Sequence, residues 1–338
     1  MKGAAVLPWL EPYWRRLQAY AGFERVPQAL LIAGIAGVGK MQLARLFAQR
    51  LLCRRPGDLA CGECVSCQLF AAQTHPDFLV VEPAEPGKPI TVDAIRGLIA
   101  SLSLKPQYSG YRVVILAPAH QMNSSAANSL LKTLEEPDEH TVMLLLTETP
   151  AALPATILSR CQRMEIAVPD RALSIRWLAE QGLGEQQAEV LLALAQGAPL
   201  RAVALAQEGV IERREEFFLA WRDVARRIQE PVLVAEKWAK YSCEALTDWM
   251  SSWVIDLIRL RALPNCGPLN NPDLRESLQA TARQLELKNL FRFLDLLNAT
   301  KRRLLGQVNR QLALEELLIH WSSAANFQGS TGKPKYHE

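Results

Sequence analysis

The chain has 338 residues, of which 49% are hydrophobic, so it can bury a core that is large enough for two or three domains. Its 38 basic and 35 acidic residues give a formal charge of +3, which is too balanced to indicate a nucleic-acid coat or a membrane-surface patch. A run of roughly 18 apolar residues is absent, and only Lys2 precedes an N-terminal apolar run that Pro8 breaks. We therefore expect a cytoplasmic protein with no membrane partner.

The part of the chain up to Val168 alternates short β-rich runs with helical patterns, which is typical of a parallel sheet with helices on both faces. The predicted strands are Ala29 to Ala33, Phe78 to Glu82, Arg112 to Leu116 and Thr141 to Thr147. The predicted helices are Lys40 to Leu52, one opened by Thr91 that runs to about Leu102, and one capped by Ser124 or Ser125 and closed by Pro137. An α/β domain over residues 1–168 follows from this pattern.

A glycine-rich segment lies between the first predicted strand and the first predicted helix, which is the setting of a P-loop. Its glycines would let backbone N–H groups point at phosphate oxygens, and its lysine would reach the β and γ positions. The residues concerned are Gly34, Gly37, Gly39 and Lys40. The next residue is Met41, where an active P-loop enzyme places a hydroxyl on Mg²⁺. ATP or ADP can still bind to such a loop.

Four of the seven cysteines follow the P-loop helix with the spacing C-x7-C-x2-C-x2-C: Cys53, Cys61, Cys64 and Cys67. Four thiolates at this spacing suit tetrahedral Zn²⁺, and a closed all-cysteine set leaves no coordination position open for catalysis. An iron–sulfur cluster and free thiols are the competing interpretations. We expect a structural zinc site, whose metal would stabilise the segment between the helix and the next strand.

The strand from Arg112 to Leu116 is where a working P-loop ATPase would be followed by an Asp for the metal and a Glu for the attacking water. Here Ala117 and Pro118 follow it, so neither carboxylate is present. We therefore expect no hydrolysis of ATP by this chain. The alternative is that this strand is misaligned and that an Asp elsewhere holds the metal.

Two later segments are more specific: Asn128 to Pro137 reads NSLLKTLEEP, and Ile157 to Cys161 reads ILSRC. Together they closely resemble the clamp-loader subunits of bacterial DNA polymerase III, which are AAA+ proteins. Counting back from this block through His120, which also suits the family, places Ala117 and Pro118 on the acidic pair of its working ATPases.

Among the families of clamp-loader subunits, a degenerate nucleotide site with an intact Ser-Arg-Cys motif resembles the delta prime family. Working gamma/tau subunits would keep the hydroxyl and both carboxylates, and delta subunits would lack Ser-Arg-Cys. The resemblance implies an arginine finger at Arg160, between Ser159 and Cys161, that acts in the nucleotide site of a neighbouring subunit. It also implies sensor-like positions at Thr147 and Arg201.

Beyond Val168 the sequence is helical in period, with breaks at residues 182–184 and 197–199. The predicted helices are Asp170 to Gln181, Gly184 to Gln196, Pro199 to Gln207, Phe217 to Ile228, Leu246 to Leu263 and Leu287 to Leu305. We divide this part into a small three-helix lid domain (169–209), an all-α domain (210–329) and a polar tail (330–338). The resemblance implies that the all-α domain is a collar that joins subunits in a ring.

The leading interpretation is a non-hydrolysing clamp-loader subunit. Its implied partners are gamma/tau and delta subunits in a hetero-oligomeric ring and, through that complex, the sliding clamp and primed DNA. The alternatives are an active clamp-loader ATPase with unusual metal anchoring and a zinc-dependent nucleic-acid-binding module.

Overall fold

A computed structural model describes residues 5–22, 26–85, 87–103, 106–108, 110–136, 140–263, 267, 269–304 and 308–324. The predicted polar tail, Pro137 and Leu305 lie outside these residues. Two compact units are present: Met1–Glu180 with Gly197–Arg201, and Gln181–Gln196 with Ala202–Glu338. The division into three domains stays a prediction.

The first unit is built on a parallel five-stranded sheet in the order β2-β3-β4-β1-β5. Its strands are β1 (Ala29–Ala33), β2 (Phe78–Val81), β3 (Arg112–Leu116), β4 (Thr141–Thr147) and β5 (Gln162–Glu165). Its helices are α1 (Glu11–Gly22), α2 (Lys40–Leu52), α3 (Val65–Ala71), α4 (Val92–Leu102), α5 (Ser124–Glu135), α6 (Ala155–Leu158) and α7 (Arg171–Glu180). The predicted α/β class is confirmed.

Both faces of the sheet are buried. Ala29 and Leu31 of β1 join a core with apolar residues of α4 and α5. The alternate residues Leu30 and Ile32 are equally buried, and α2 contacts β3 and β4. Because side chains alternate along a strand, strands covered on both faces must be apolar throughout. That requirement explains the continuous apolar runs by which these strands were predicted.

Several boundaries differ from the sequence prediction. The strand expected to end at Glu82 ends at Val81, and α5 is capped by Asn123, not by Ser124 or Ser125. The Asn123 side chain accepts a hydrogen bond of 2.8 Å from the Ala126 N–H, which satisfies a donor of the first helical turn. Four of these helices and strands were not predicted: α1, α3, α6 and β5.

The described residues of the second unit form helices and their connections, with no strand among them. Its helices are α8 (Glu185–Leu194), most of α9 (Pro199–Gln207), α10 (Val210–Ala225), α11 (Pro231–Trp238), α12 (Cys243–Ala262), α13 (Arg275–Ala282), α14 (Leu287–Leu304) and α15 (Arg310–Ala324). Trp221 of α10 stacks on Trp321 of α15 with ring centroids 3.9 Å apart, and both are fully buried. Trp221, Trp253 and Trp321 therefore lie in the core of this unit. Helices α11, α13 and α15 were not predicted.

Across the described part of the chain, no single helix is long and apolar enough to cross a membrane. The bent pair of α8 and α9 reaches the required length only when the two helices are taken together.

Candidate functional site

The glycine-rich segment connects β1 to α2, as the sequence predicts. Gly37 and Gly39 have φ values of +78° and +100°, which glycine adopts without the steric cost of a side chain. The Gly34 N–H donates to the Thr147 carbonyl at 3.2 Å, so the loop is fixed to the end of β4. This strand–loop–helix arrangement is that of a P-loop.

Lys40 directs its ammonium group into the loop itself. Its Nζ donates to the carbonyls of Gly34 at 2.8 Å and Ile35 at 2.9 Å, and it lies 3.6 Å from Glu148 Oε1. Burial lowers the pKa of Lys40, and the Glu148 carboxylate opposes that shift. The charge that would contact a phosphate is therefore already compensated by groups of the same chain.

Other segments of the first unit cover the loop backbone. The Trp9 indole N–H donates to the Val38 carbonyl at 2.8 Å, and the Leu200 N–H donates to the Gly37 carbonyl at 3.1 Å. A Cβ atom at Gly37 would lie 2.5 Å from Cβ of Arg201, so that residue packs directly against the loop. The loop is thus a junction between the N-terminal segment, the sheet and the start of α9.

The two positions expected to anchor a metal are on the same edge of the sheet. Met41 is in the first turn of α2, and Ala117 with Pro118 directly follows β3, which pairs with β4. Because carboxyl ends of parallel strands meet at one edge, these residues lie where the expected alignment puts them. They supply a thioether, a methyl group and a ring, and none of these is a good ligand for Mg²⁺.

Of the two sensor-like residues, Thr147 is fully buried at the end of β4. Its Oγ1 lies 3.1 Å from Nδ1 of His120 and accepts a hydrogen bond of 3.2 Å from the Thr149 N–H. Arg201 is exposed near the start of α9. The structure therefore brings Gly34, Lys40 and Thr147 together and places Arg201 beside Gly37.

Arg160 lies outside this cluster, just after α6. Ile157 and Cys161 are buried in the core under the sheet, while Ser159 and Arg160 between them are exposed. Burial raises the pKa of the Cys161 thiol to about 11, so this side chain is a neutral packing residue. The motif thus consists of two buried anchors that present an arginine to solvent.

The four cysteines of the C-x7-C-x2-C-x2-C segment come together. Their sulfur atoms all lie within 4.8 Å of one another, and Sγ of Cys61 and Cys67 are 4.0 Å apart. Tetrahedral geometry with Zn–S bonds of about 2.3 Å requires sulfur separations of about 3.8 Å. The Cys61 and Arg55 N–H groups point at Cys53 Sγ, at 3.3 and 3.4 Å. The donor set and its size fit a four-thiolate metal site.

The thiols of this cluster differ in acidity. Hydrogen bonds from the N–H groups of Glu63 and Cys64 lower the pKa of Cys61 to about 6. Burial raises the pKa values of Cys53 and Cys67. A metal must therefore deprotonate the two buried thiols when it binds, and that makes its affinity dependent on pH.

Three residues that contact the predicted site were missed in the sequence. Trp9 lies in a 3-10 helix (Pro8–Leu10) beside the loop, Glu148 pairs with Lys40, and Glu135 pairs with Arg160. Glu135 stands inside the NSLLKTLEEP block, and Glu148 directly follows the sensor-like threonine. The positions of the two glutamates beside predicted site residues could have indicated that they belong to the site. Their partners could not be predicted, because these are distant in sequence.

Two family models and several curated proteins match this chain. The family model described as "DNA polymerase III, delta subunit" matches residues 9–170, and "DNA polymerase III, delta subunit, C terminal" matches residues 208–323. The chain is 37% identical to "DNA polymerase III subunit delta'" of Pseudomonas aeruginosa over 326 residues, which covers 95% of this chain and 98% of the relative. The corresponding protein of Yersinia pestis is 33% identical, with 94% and 95% covered.

A solved structure shares the fold: a "gamma subunit-related protein" of DNA polymerase III from Thermotoga maritima, with a TM-score of 0.53 and 18% identity. It covers 94% of this chain and 99% of its own. With a P-loop junction, an exposed arginine in Ser-Arg-Cys and matches along nearly the whole length, the chain belongs to the delta' family of bacterial DNA polymerase III clamp-loader subunits.

Proposed function

We propose that this chain is a non-hydrolysing subunit of the clamp loader and that it supplies Arg160 to the nucleotide site of a neighbouring ATPase subunit. In this role it assembles with gamma/tau and delta subunits in a ring, through its C-terminal helices, and helps to load the sliding clamp onto primed DNA. The observation that carries the proposal is the contrast in exposure between the P-loop lysine, whose side chain is 10% exposed, and Arg160, whose side chain is 33% exposed.

Loss of hydrolysis is supported by chemistry at three positions. Met41 provides no hydroxyl for Mg²⁺, and Ala117 and Pro118 provide no carboxylate for the metal or the attacking water. In addition, Lys40 would have to leave three oxygen partners before it could contact a phosphate. If ATP or ADP binds to this loop, it therefore binds without the groups that would cleave it.

The role of Arg160 in trans is supported by its setting. A planar guanidinium stabilises charge on transferred phosphoryl oxygens, and such an arginine contributes about 10³ to 10⁵ in turnover at the site it serves. The side chain of Arg160 is 33% exposed, so a second subunit can reach it. The sensor-like residues Thr147 and Arg201 are inside this chain's own loop junction, and we assign them a structural role.

The test is the ATPase activity of the reconstituted clamp loader with clamp and primed DNA. Arg160→Ala should silence the site that this arginine serves, whereas Arg163→Ala, an exposed arginine on β5, should leave turnover unchanged. Unchanged turnover with Arg160→Ala would contradict the assignment of Arg160 as an arginine finger. Steady turnover by the isolated chain that Lys40→Ala abolishes would instead establish an active ATPase.

We also propose that Cys53, Cys61, Cys64 and Cys67 hold one structural Zn²⁺. The closed all-thiolate set keeps the ion away from reaction chemistry, and its binding stabilises a segment with few buried apolar residues. Metal analysis of the purified chain should give one zinc per chain, and Cys61→Ser should lower this to near zero. Cys161→Ser is the matched control and should retain the metal. Iron with visible absorbance would point to a cluster instead.

A further inference from the structure

Arg160 is restrained by groups of its own chain. Its Nη2 donates to Oε1 of Glu135, and its Nη1 donates to the Thr156 carbonyl at 2.9 Å and to Oγ of Ser159 at 3.3 Å. The Ser159 hydroxyl itself donates to the Thr156 carbonyl at 3.1 Å. Acceptors from two helices therefore hold the guanidinium in one orientation. Without them, a flexible surface arginine would sample many orientations.

Glu135 occupies an unusual position for an acidic residue. It is the last residue of α5, where the helix dipole places partial negative charge and disfavours a carboxylate. The guanidinium of Arg160 offsets this repulsion across the gap between α5 and α6. Because the two side chains are 33% and 48% exposed, water screens the pair and it can open at little cost.

We infer that Glu135 is the positioning residue for Arg160: it holds the guanidinium in the orientation in which it meets the phosphates of a neighbouring subunit's nucleotide. This inference rests on the proposed function of Arg160. A preoriented arginine loses less rotational freedom when it meets the transition state, so the effect falls on turnover and not on ATP affinity.

The experiment measures the Arg160-dependent turnover of the reconstituted clamp loader, which is the part that Arg160→Ala removes. Glu135→Ala should lower this part by about 10-fold at saturating ATP, since misplacing a catalytic group by an ångström costs up to about 100-fold. The apparent KM for ATP should not change. Glu135→Gln keeps an acceptor oxygen and should retain more turnover than Glu135→Ala. Glu136→Gln removes the neighbouring charge and should behave as wild type.

A double variant separates positioning from a general effect on folding. In an Arg160→Ala background, Glu135→Ala should cause no further loss, because both changes act through one group. A further loss there, or a gain of turnover with Glu135→Ala alone, would overturn the inference. If Arg160→Ala lowers turnover while Glu135→Ala and Glu135→Gln do not, the inference fails and the arginine finger stands. If Arg160→Ala itself has no effect, the proposed function fails first.

Discussion

Gly37 shows how one residue can be required by two independent constraints. Its φ of +78° lies in the left-handed region, where a side chain clashes with its own backbone. Its missing Cβ also makes room for Arg201, whose backbone nitrogen would be 2.6 Å from that atom. A phosphate loop that never meets a phosphate would still need glycine here.

We predict that Gly37→Ala destabilises the N-terminal unit by about 2 to 5 kcal/mol, because backbone strain of about 1 to 2 kcal/mol adds to overpacking. Gly87→Ala is the matched control, since Gly87 has a φ of +81° but no neighbour within 4 Å of the added methyl group. It should cost only the backbone strain. Urea unfolding measures both free energies, and equal losses would show that Arg201 moves aside freely.

The sequence predicted the positions of the site residues better than their partners. The glycines and Lys40 were predicted because local spacing defines them, and Thr147 was predicted from the family resemblance. The pairing of Lys40 with Glu148 was not, since it depends on β1 and β4 being neighbours. The cap of α5 was placed one or two residues late because Asn and Ser are equally good caps, and composition does not choose between them.

Among the elements, the strands differ in how well the sequence predicts them. Strands β1, β3 and β4 are buried along their whole length and are apolar except for Arg112, Thr141 and Thr147 at their ends, and they were predicted to the residue. Strand β5 has only Met164 buried, because it is an edge strand that pairs with β1 alone. Its sequence QRME contains no apolar run. An edge strand of this kind is identified from its pairing with the neighbouring strand, because its composition does not indicate a strand.

Arg214 connects three elements of the helical unit. From α10 it donates to Oδ2 of Asp273 at 2.6 Å and to Oδ1 of Asn271 at 2.7 Å, and it is fully buried. Asp256 on α12 in turn accepts hydrogen bonds from the N–H and the side-chain amide of Asn271, at 2.8 and 2.7 Å. A buried charge paired in this way fixes the register of the elements that it joins.

We predict that Arg214→Met lowers the unfolding free energy of the helical unit by about 3 to 5 kcal/mol, since it leaves buried acceptors without their donor. Arg303→Met breaks an ion pair with Glu316 of similar length, 2.8 Å, but its side chains are 47% and 35% exposed. Its cost should be about 0 to 1 kcal/mol. Thermal and urea unfolding compare the two variants, and similar losses would contradict the assigned role of burial.

At the scale of the whole molecule, the cysteine cluster and the tryptophan core belong to different units. The sequence showed the change from α/β to helical character near Val168, because hydrophobic periodicity changes there. It did not show α11, α13 and α15, whose apolar residues pack against long helices that were predicted. The prediction of assembly into a ring came only from the family resemblance, since composition alone does not identify a partner.

We predict that removal of the metal affects the N-terminal unit alone. Hydrogen exchange after treatment with a zinc chelator should increase in residues 53–78, where the proposed metal bonds would stand in for apolar burial. Exchange in α12 and α15 should stay as it was, because none of the four clustered cysteines is in their core. Added zinc should reverse the change. A uniform increase over both units would show that they unfold together.

The inward-facing Lys40 matters for the identification of ATPases by sequence motif. A survey that counts hydrolases by the G-x-x-x-x-G-K signature would include this chain. Here, however, the lysine donates hydrogen bonds to carbonyl groups of its own loop, and the glycines make room for neighbouring backbone. The packing of the loop therefore favours this signature whether or not the chain hydrolyses ATP.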